Sequence, residues 1–160
     1  MSLQDSAGEI RAGEELDPVA VGDWLRARID GLELPLQIRQ FPGGASNLTY
    51  LLQFANRELV LRRPPFGHKA KSAHDMGREY RVMDGLRAVY PYVPRMLAFC
   101  DDEGVIGSEF YVMERLNGLI LRTNLPEGLS LTPDQARALC ENMVQRLVDQ
   151  RLREHDAAGG

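Results

Sequence analysis

Three short runs of strand-period sequence, at 36–41, 48–54 and 58–63, follow one another with too little chain between them for anything but antiparallel hairpins. The first run alternates Leu36, Ile38 and Gln40 against Gln37, Arg39 and Phe41. A turn of Pro42-Gly43-Gly44-Ala45-Ser46-Asn47 leads into Leu48–Phe54, and Ala55-Asn56-Arg57 leads into Glu58–Arg63. The result is a meander whose first hairpin has a glycine-rich tip. Pro64-Pro65 stops its third strand.

Helices flank this meander. Asp17-Pro18 is a helix start, because Asp caps free amides and Pro at the first helical position loses nothing. Val21, Trp24, Leu25 and Ile29 then give one apolar face, and Gly31 ends the helix. Residues 72–89 read as a second helix, with Met76, Tyr80, Met83 and Leu86 on one side. Pro91 and Pro94 precede two further strands, at 95–100 and 110–116, joined through the polar turn Asp101-Asp102-Glu103-Gly104. Residues 117–130 are irregular. Thr132-Pro133-Asp134-Gln135 forms a capping box for a long helix striped by Ala136, Leu139, Cys140, Met143, Leu147 and Leu152. The predicted fold is α+β: a five-stranded antiparallel sheet with one helix inserted after the third strand.

Composition narrows the function classes. With 44% hydrophobic residues among 160, the chain can bury a core, and its 26% charged residues argue against disorder. A net charge of −4 excludes a nucleic-acid or anionic-membrane binder as the first reading. Yet residues 57–95 hold nine Lys/Arg against four Asp/Glu, a local excess suited to a small anion. Cys100 and Cys140 lie in apolar stretches without metal-ligand spacing and read as reduced core thiols. Residues 1–16, small and acidic with no apolar signal core, read as a mobile tail, and no stretch reaches the length of a membrane helix. A soluble, cytoplasmic protein is expected.

Two features carry chemistry. Consecutive glycines at Gly43-Gly44 let backbone amides approach a ligand closely, and the Ser46 hydroxyl can join them around phosphate oxygens. An ordinary hairpin tip has the same composition. Strand alternation puts Val60 and Arg62 on one face and Leu59 and Leu61 on the other. An inward Arg62 needs an anion or a carboxylate. Glu79 can supply the carboxylate, since it lies three residues from Met76 and four from Met83 on the helix's inner side. A sheet-borne cation held by a helical carboxylate beside a glycine turn is how protein-kinase-like enzymes grip ATP phosphates. The alternative is a solvent-facing Arg62 or Arg63 and an unrelated Glu79.

Together the stretches Phe41–Tyr50, Leu59–Pro65 and Ser72–Tyr80 resemble the aminoglycoside phosphotransferase family, in particular its branch related to the kinase-like domain of acyl-CoA dehydrogenase family members 10 and 11. Phe110–Gly118 resembles that family's hinge between lobes, and the likeness runs from about Asp17 to Gly160. The resemblance implies a kinase-like N-terminal lobe over 17–116, then a hinge and the first helix of a C-terminal lobe over 117–160. It implies that Gly43, Gly44, Ser46 and Asn47 position the triphosphate. Arg62 takes the place of the phosphate-binding lysine, with Glu79 as its partner. Val60 lines the adenine pocket, Met113 packs behind it, and Glu114 and Leu116 offer backbone groups to the adenine edge.

The family's catalytic loop, a His-Gly-Asp with an Asn five residues after the Asp, and its later magnesium-binding Asp do not occur in these 160 residues. His155-Asp156 resembles instead the end of the family's first C-lobe helix. No catalytic or metal-ligating residue is therefore assigned, and His68 and His74 read as surface or substrate-side residues. The implied function is the ATP-binding lobe of a small-molecule phosphotransferase, truncated before its catalytic loop and inactive alone. ATP binding by the isolated chain is expected to be weak or absent, with magnesium held only in a full-length enzyme, and the acceptor a hydroxyl of a hydroxyacyl-CoA or an aminoglycoside-like molecule. The alternative is a stand-alone module that binds a nucleotide or a protein. The bare apolar stripe at 136–152 predicts a homodimer.

Overall fold

The computed structural model describes residues 6–42, 47–67, 75–118, 125 and 128–158, with backbone alone over 150–158. Strands β1 (Gln37–Gln40), β2 (Leu48–Gln53), β3 (Glu58–Arg63), β4 (Met96–Cys100) and β5 (Phe110–Glu114) form one sheet in the order β1-β2-β3-β5-β4. Every neighbouring pair is antiparallel. The α+β fold expected from the sequence is the fold observed. β3 lies at the centre, with β5 beside it although two helices and β4 intervene in the chain.

Helix α1 (Pro18–Arg26) starts where the capping residues predict: the Asp17 carboxylate accepts from the Val19 amide at 2.8 Å. It ends earlier than predicted, at Arg26, and a short turn carries the chain to Gly31, whose φ of 75° suits glycine. α1 covers one sheet face. Val21 and Leu25 meet Tyr50, Leu52, Leu59, Leu61, Phe110 and Val112 there, and Trp24 packs edge-on against Phe110.

Helix α2 (Met76–Arg87) covers the other face. Asp75 caps it, accepting from the Arg78 amide at 2.7 Å, and the Glu109 carboxylate accepts from the Met76 amide. Met76, Tyr80 and Met83 pack on Met96, Phe99, Tyr111 and Met113, a smaller cluster than the one under α1. Between β4 and β5, where a simple polar turn is predicted, Asp102 instead caps a single helical turn, α3 (Glu103–Ile106). Gly107 closes it at a φ of 81°.

Helix α4 (Pro133–Ala158) opens with the expected capping box: Thr132 and Gln135 exchange amide hydrogen bonds at 2.9 and 3.3 Å. Its apolar stripe is exposed at Leu139, Met143 and Leu147. Cys140 is exposed with them, which corrects the expectation of a second core thiol, while Cys100 is buried. α4 touches the segment before β4, where Arg146 stacks over the Tyr92 ring and the Tyr90 hydroxyl donates to the Arg146 carbonyl.

The expectation of a mobile tail over residues 1–16 is also corrected from Ala7 onward. Gly8 pairs with Gln40 through two backbone hydrogen bonds of 2.9 and 3.2 Å. Ala7 and Leu16 are buried. The Glu14 carboxylate accepts from the Gln40 amide and from Arg11, and the Tyr50 hydroxyl donates to the Glu14 carbonyl. The Gln40 bond most of all, and then Arg11, hold the Glu14 carboxyl below the usual range. Polar side chains answering one another across the sheet edge fix this strip, and its few apolar residues, Leu16 and Ile10 among them, pack on the core.

Candidate functional site

The sheet register sets two rows across the face that carries α2. Thr49, Arg62 and Tyr111 lie opposite one another on β2, β3 and β5, and Leu51, Val60 and Met113 do so one step along. The first row is polar and the second apolar. Alternation along β3 sends Leu59, Leu61 and Arg63 to the α1 face, as the sequence implies.

Arg62 and Glu79 come together as alternation and helical spacing predict. The Arg62 Nη1 lies 3.5 Å from the Glu79 Oε2, with both side chains about one-third exposed. That separation is longer than a direct charge-assisted hydrogen bond. Tyr111 bonds both from the side: its hydroxyl accepts from the Arg62 Nη1 at 3.2 Å and donates to the Glu79 Oε2 at 3.0 Å. Tyr111 is fully buried. Burial pushes its phenol up to about 12, opposed by Arg62 and assisted by Glu79, so at neutral pH it keeps the proton it donates.

The other Glu79 oxygen is taken as well. Asn47, buried at the end of the glycine-rich turn, donates from Nδ2 to Oε1 at 2.9 Å. One helical carboxylate thus ties together the foot of the first hairpin, β3 and β5. The Arg62 Nε is buried and has no hydrogen-bond partner among the described residues. A buried N–H costs free energy unless something accepts from it. An acceptor oxygen there would answer it.

The remaining expected site residues are distributed as follows. Gly43, Gly44 and Ser46 lie outside the described residues. Val60 is buried and faces Met113 across β3 and β5. The Glu114 amide already donates to the Arg95 carbonyl at 2.9 Å, and its carboxylate accepts from the Arg95 amide and pairs with Arg87 at 3.5 Å. Leu116, just beyond β5, is 59% exposed. Among the described residues no three His, Cys, Asp or Glu side chains gather to hold a metal ion, and no helix is long and apolar enough to cross a membrane.

Sequence reasoning misses Tyr111. The alternation of Phe110, Tyr111, Val112 and Met113 puts Tyr111 on the same face as Met113. The signal was therefore present, but its use required knowing that β5 pairs with β3.

A family model described as the phosphotransferase enzyme family matches residues 37–159. Acyl-CoA dehydrogenase family member 11 of Homo sapiens is 34% identical over 149 residues, 91% of this chain and 19% of that protein. Acyl-CoA dehydrogenase family member 10 of Mus musculus is 39% identical over 113 residues, 71% of this chain and 10% of that protein. Among solved structures, a Ralstonia eutropha protein described as an aminoglycoside phosphotransferase superposes with a TM-score of 0.58 at 36% identity, covering 72% of this chain and 32% of that one. The chain thus spans a fifth or less of these curated relatives' length and about a third of the solved structure's.

Proposed function

The chain belongs to the phosphotransferase enzyme family, and from that premise we propose that its sheet and α2 form the ATP-gripping lobe of a kinase-like small-molecule phosphotransferase. The observation that carries this reading is the Arg62–Tyr111–Glu79–Asn47 group, which holds a cation on the central strand with its Nε buried and unanswered. Arg62 is assigned to phosphate oxygens, which its planar guanidinium can grip through two N–H groups at once. The turn ending at Asn47, with Gly43, Gly44 and Ser46, is assigned to the same triphosphate.

Val60 and Met113 form an apolar surface suited to a purine face. Because the Glu114 amide is used within the sheet, the adenine edge is assigned to the Glu114 carbonyl and the Leu116 amide. Catalysis in this reading is positioning and charge neutralisation, since phosphoryl transfer asks little covalent chemistry of a protein. The chain's own residues hold the phosphates, keep the guanidinium charge beside them and shield one side of the site from water. Magnesium and the acceptor hydroxyl, on a hydroxyacyl-CoA or an aminoglycoside-like molecule, are assigned to the whole protein rather than to these residues. A cytoplasmic location accords with the reaction's need for ATP.

Thermal unfolding with and without ATP tests the assignment. ATP should raise the melting temperature of the chain modestly, and Arg62→Ala should abolish the rise. An unchanged melting temperature of the parent chain at millimolar ATP, or an undiminished rise in Arg62→Ala, rejects it.

A further inference from the structure

We propose that Tyr111 is a positioning residue: its hydroxyl takes up one donor of Arg62 and one acceptor position of Glu79, which keeps the two from docking as a two-pronged pair and leaves the Arg62 Nε–H for an anionic oxygen. The geometry rests on three distances, and only the identity of the anion rests on the nucleotide reading above. Arg62 Nη1 lies 3.2 Å from the Tyr111 oxygen and 3.5 Å from Glu79 Oε2, and the Tyr111 oxygen lies 3.0 Å from that same Oε2.

Proton counting fixes the direction. A guanidinium only donates and a carboxylate only accepts, so the phenol accepts from Arg62 and donates its single O–H to Glu79. Left alone, an arginine and a carboxylate at this distance favour a two-pronged pair at about 2.8 Å. Such a pair would use two guanidinium N–H groups and turn the planar group toward α2. With the phenol bonded to both, Nη1 is held and the buried Nε has no partner among the described residues. The Asn47 amide on Oε1 prevents the carboxylate from swinging its second oxygen toward Arg62. Tyr111 cannot slide aside, because it is fully buried between Tyr80 and the sheet, with ring centroids 6.4 Å apart. Its burial also keeps the phenol protonated well beyond neutral pH.

Tyr111→Phe removes the hydroxyl and keeps the ring. The Arg62 Nε–H resonance, followed in an isotope-labelled nitrogen–proton correlation spectrum and assigned by its loss in Arg62→Lys, reads the guanidinium directly. In Tyr111→Phe it should move to a hydrogen-bonded position as Arg62 docks on Glu79, and affinity for ATP should fall about tenfold, the worth of one charge-assisted hydrogen bond. Adding Glu79→Gln to Tyr111→Phe should return the resonance toward its parent position and recover part of the affinity, a rescue that a merely structural tyrosine would not give. Glu79→Gln alone should leave the resonance near the parent's, because the phenol still accepts from Arg62. An Nε–H signal unmoved by Tyr111→Phe overturns the proposal, as does one moved as far by Glu79→Gln alone. Parent protein that does not bind ATP rejects the nucleotide reading, while the unliganded spectra still decide the role of Tyr111.

Discussion

Arg62 and Arg63 are neighbours in sequence and opposites in circumstance. Arg63 points to the α1 face and is 2% exposed. Its Nε donates to the Pro64 carbonyl and its Nη1 to the Ile106 carbonyl, both at 3.0 Å, while the guanidinium lies 3.6 Å from the centre of the Phe66 ring. Arg62 points to the α2 face, is about one-third exposed, and leaves a buried nitrogen unanswered. One arginine is consumed by the fold; the other is held out by it. Residue type alone does not tell the two apart. The number of donors already spent is what separates them.

Mutation breaks the comparison most directly. Arg63→Ala leaves two carbonyls unanswered and removes a stacked side chain, so it should destabilise the fold by about 3 kcal/mol in urea unfolding. Arg62→Ala should cost less than about 1 kcal/mol, the usual range for a partly exposed ion pair, while abolishing the ATP response. Equal losses would mean the two faces do not differ in the way described.

Alkaline titration sharpens the comparison with a smaller effect. Burial pushes both Tyr50, on the Arg63 side, and Tyr111, on the Arg62 side, up to about 12. A folded-state value raised above the unfolded one means stability that is fully present below about pH 10 and lost as pH rises toward 12. Each tyrosine should contribute on the order of 2 kcal/mol to that loss. Tyr50→Phe and Tyr111→Phe should each flatten the decline of melting temperature across this window. A decline unchanged in both variants would show that the phenols do not titrate as the geometry implies.

A third surface serves as a control. Both sheet faces are covered by helices, whereas α4 presents Leu139, Met143, Val144, Leu147 and Val148 at 41–60% exposure. Self-association through 136–152 is the expected consequence. A monomeric mass by light scattering at high micromolar concentration rejects it, and is the smallest of these effects to detect.

Much of this structure was legible in the sequence because its signals are local. Alternation and turn residues located all five strands within one or two residues at most ends, Asp17 and Thr132 announced their helices, and the Arg62–Glu79 pair followed from two periodicities read together. What escaped depends on partners far apart in the chain. Tyr111 enters the site only because β5 inserts beside β3, which no local pattern reveals. The strip from Ala7 to Leu16 is held by Gln40 and Tyr50, polar partners more than twenty residues away, so its own composition suggested nothing but a loose end. Cys140 looked like core because the stripe it belongs to is apolar, and an apolar stripe does not say whether anything covers it.

That N-terminal strip has a consequence for how molecules of this protein meet. β1 is an outermost strand, and an outermost strand with open amides and carbonyls is a template that another chain can extend. Gly8 occupies those groups at Gln40, and the Gln40 side chain is engaged by the Arg11 amide and the Glu14 carboxylate. Residues 7–16 thus act as a guard rail at one end of β1, where they block runaway strand addition at Gln40.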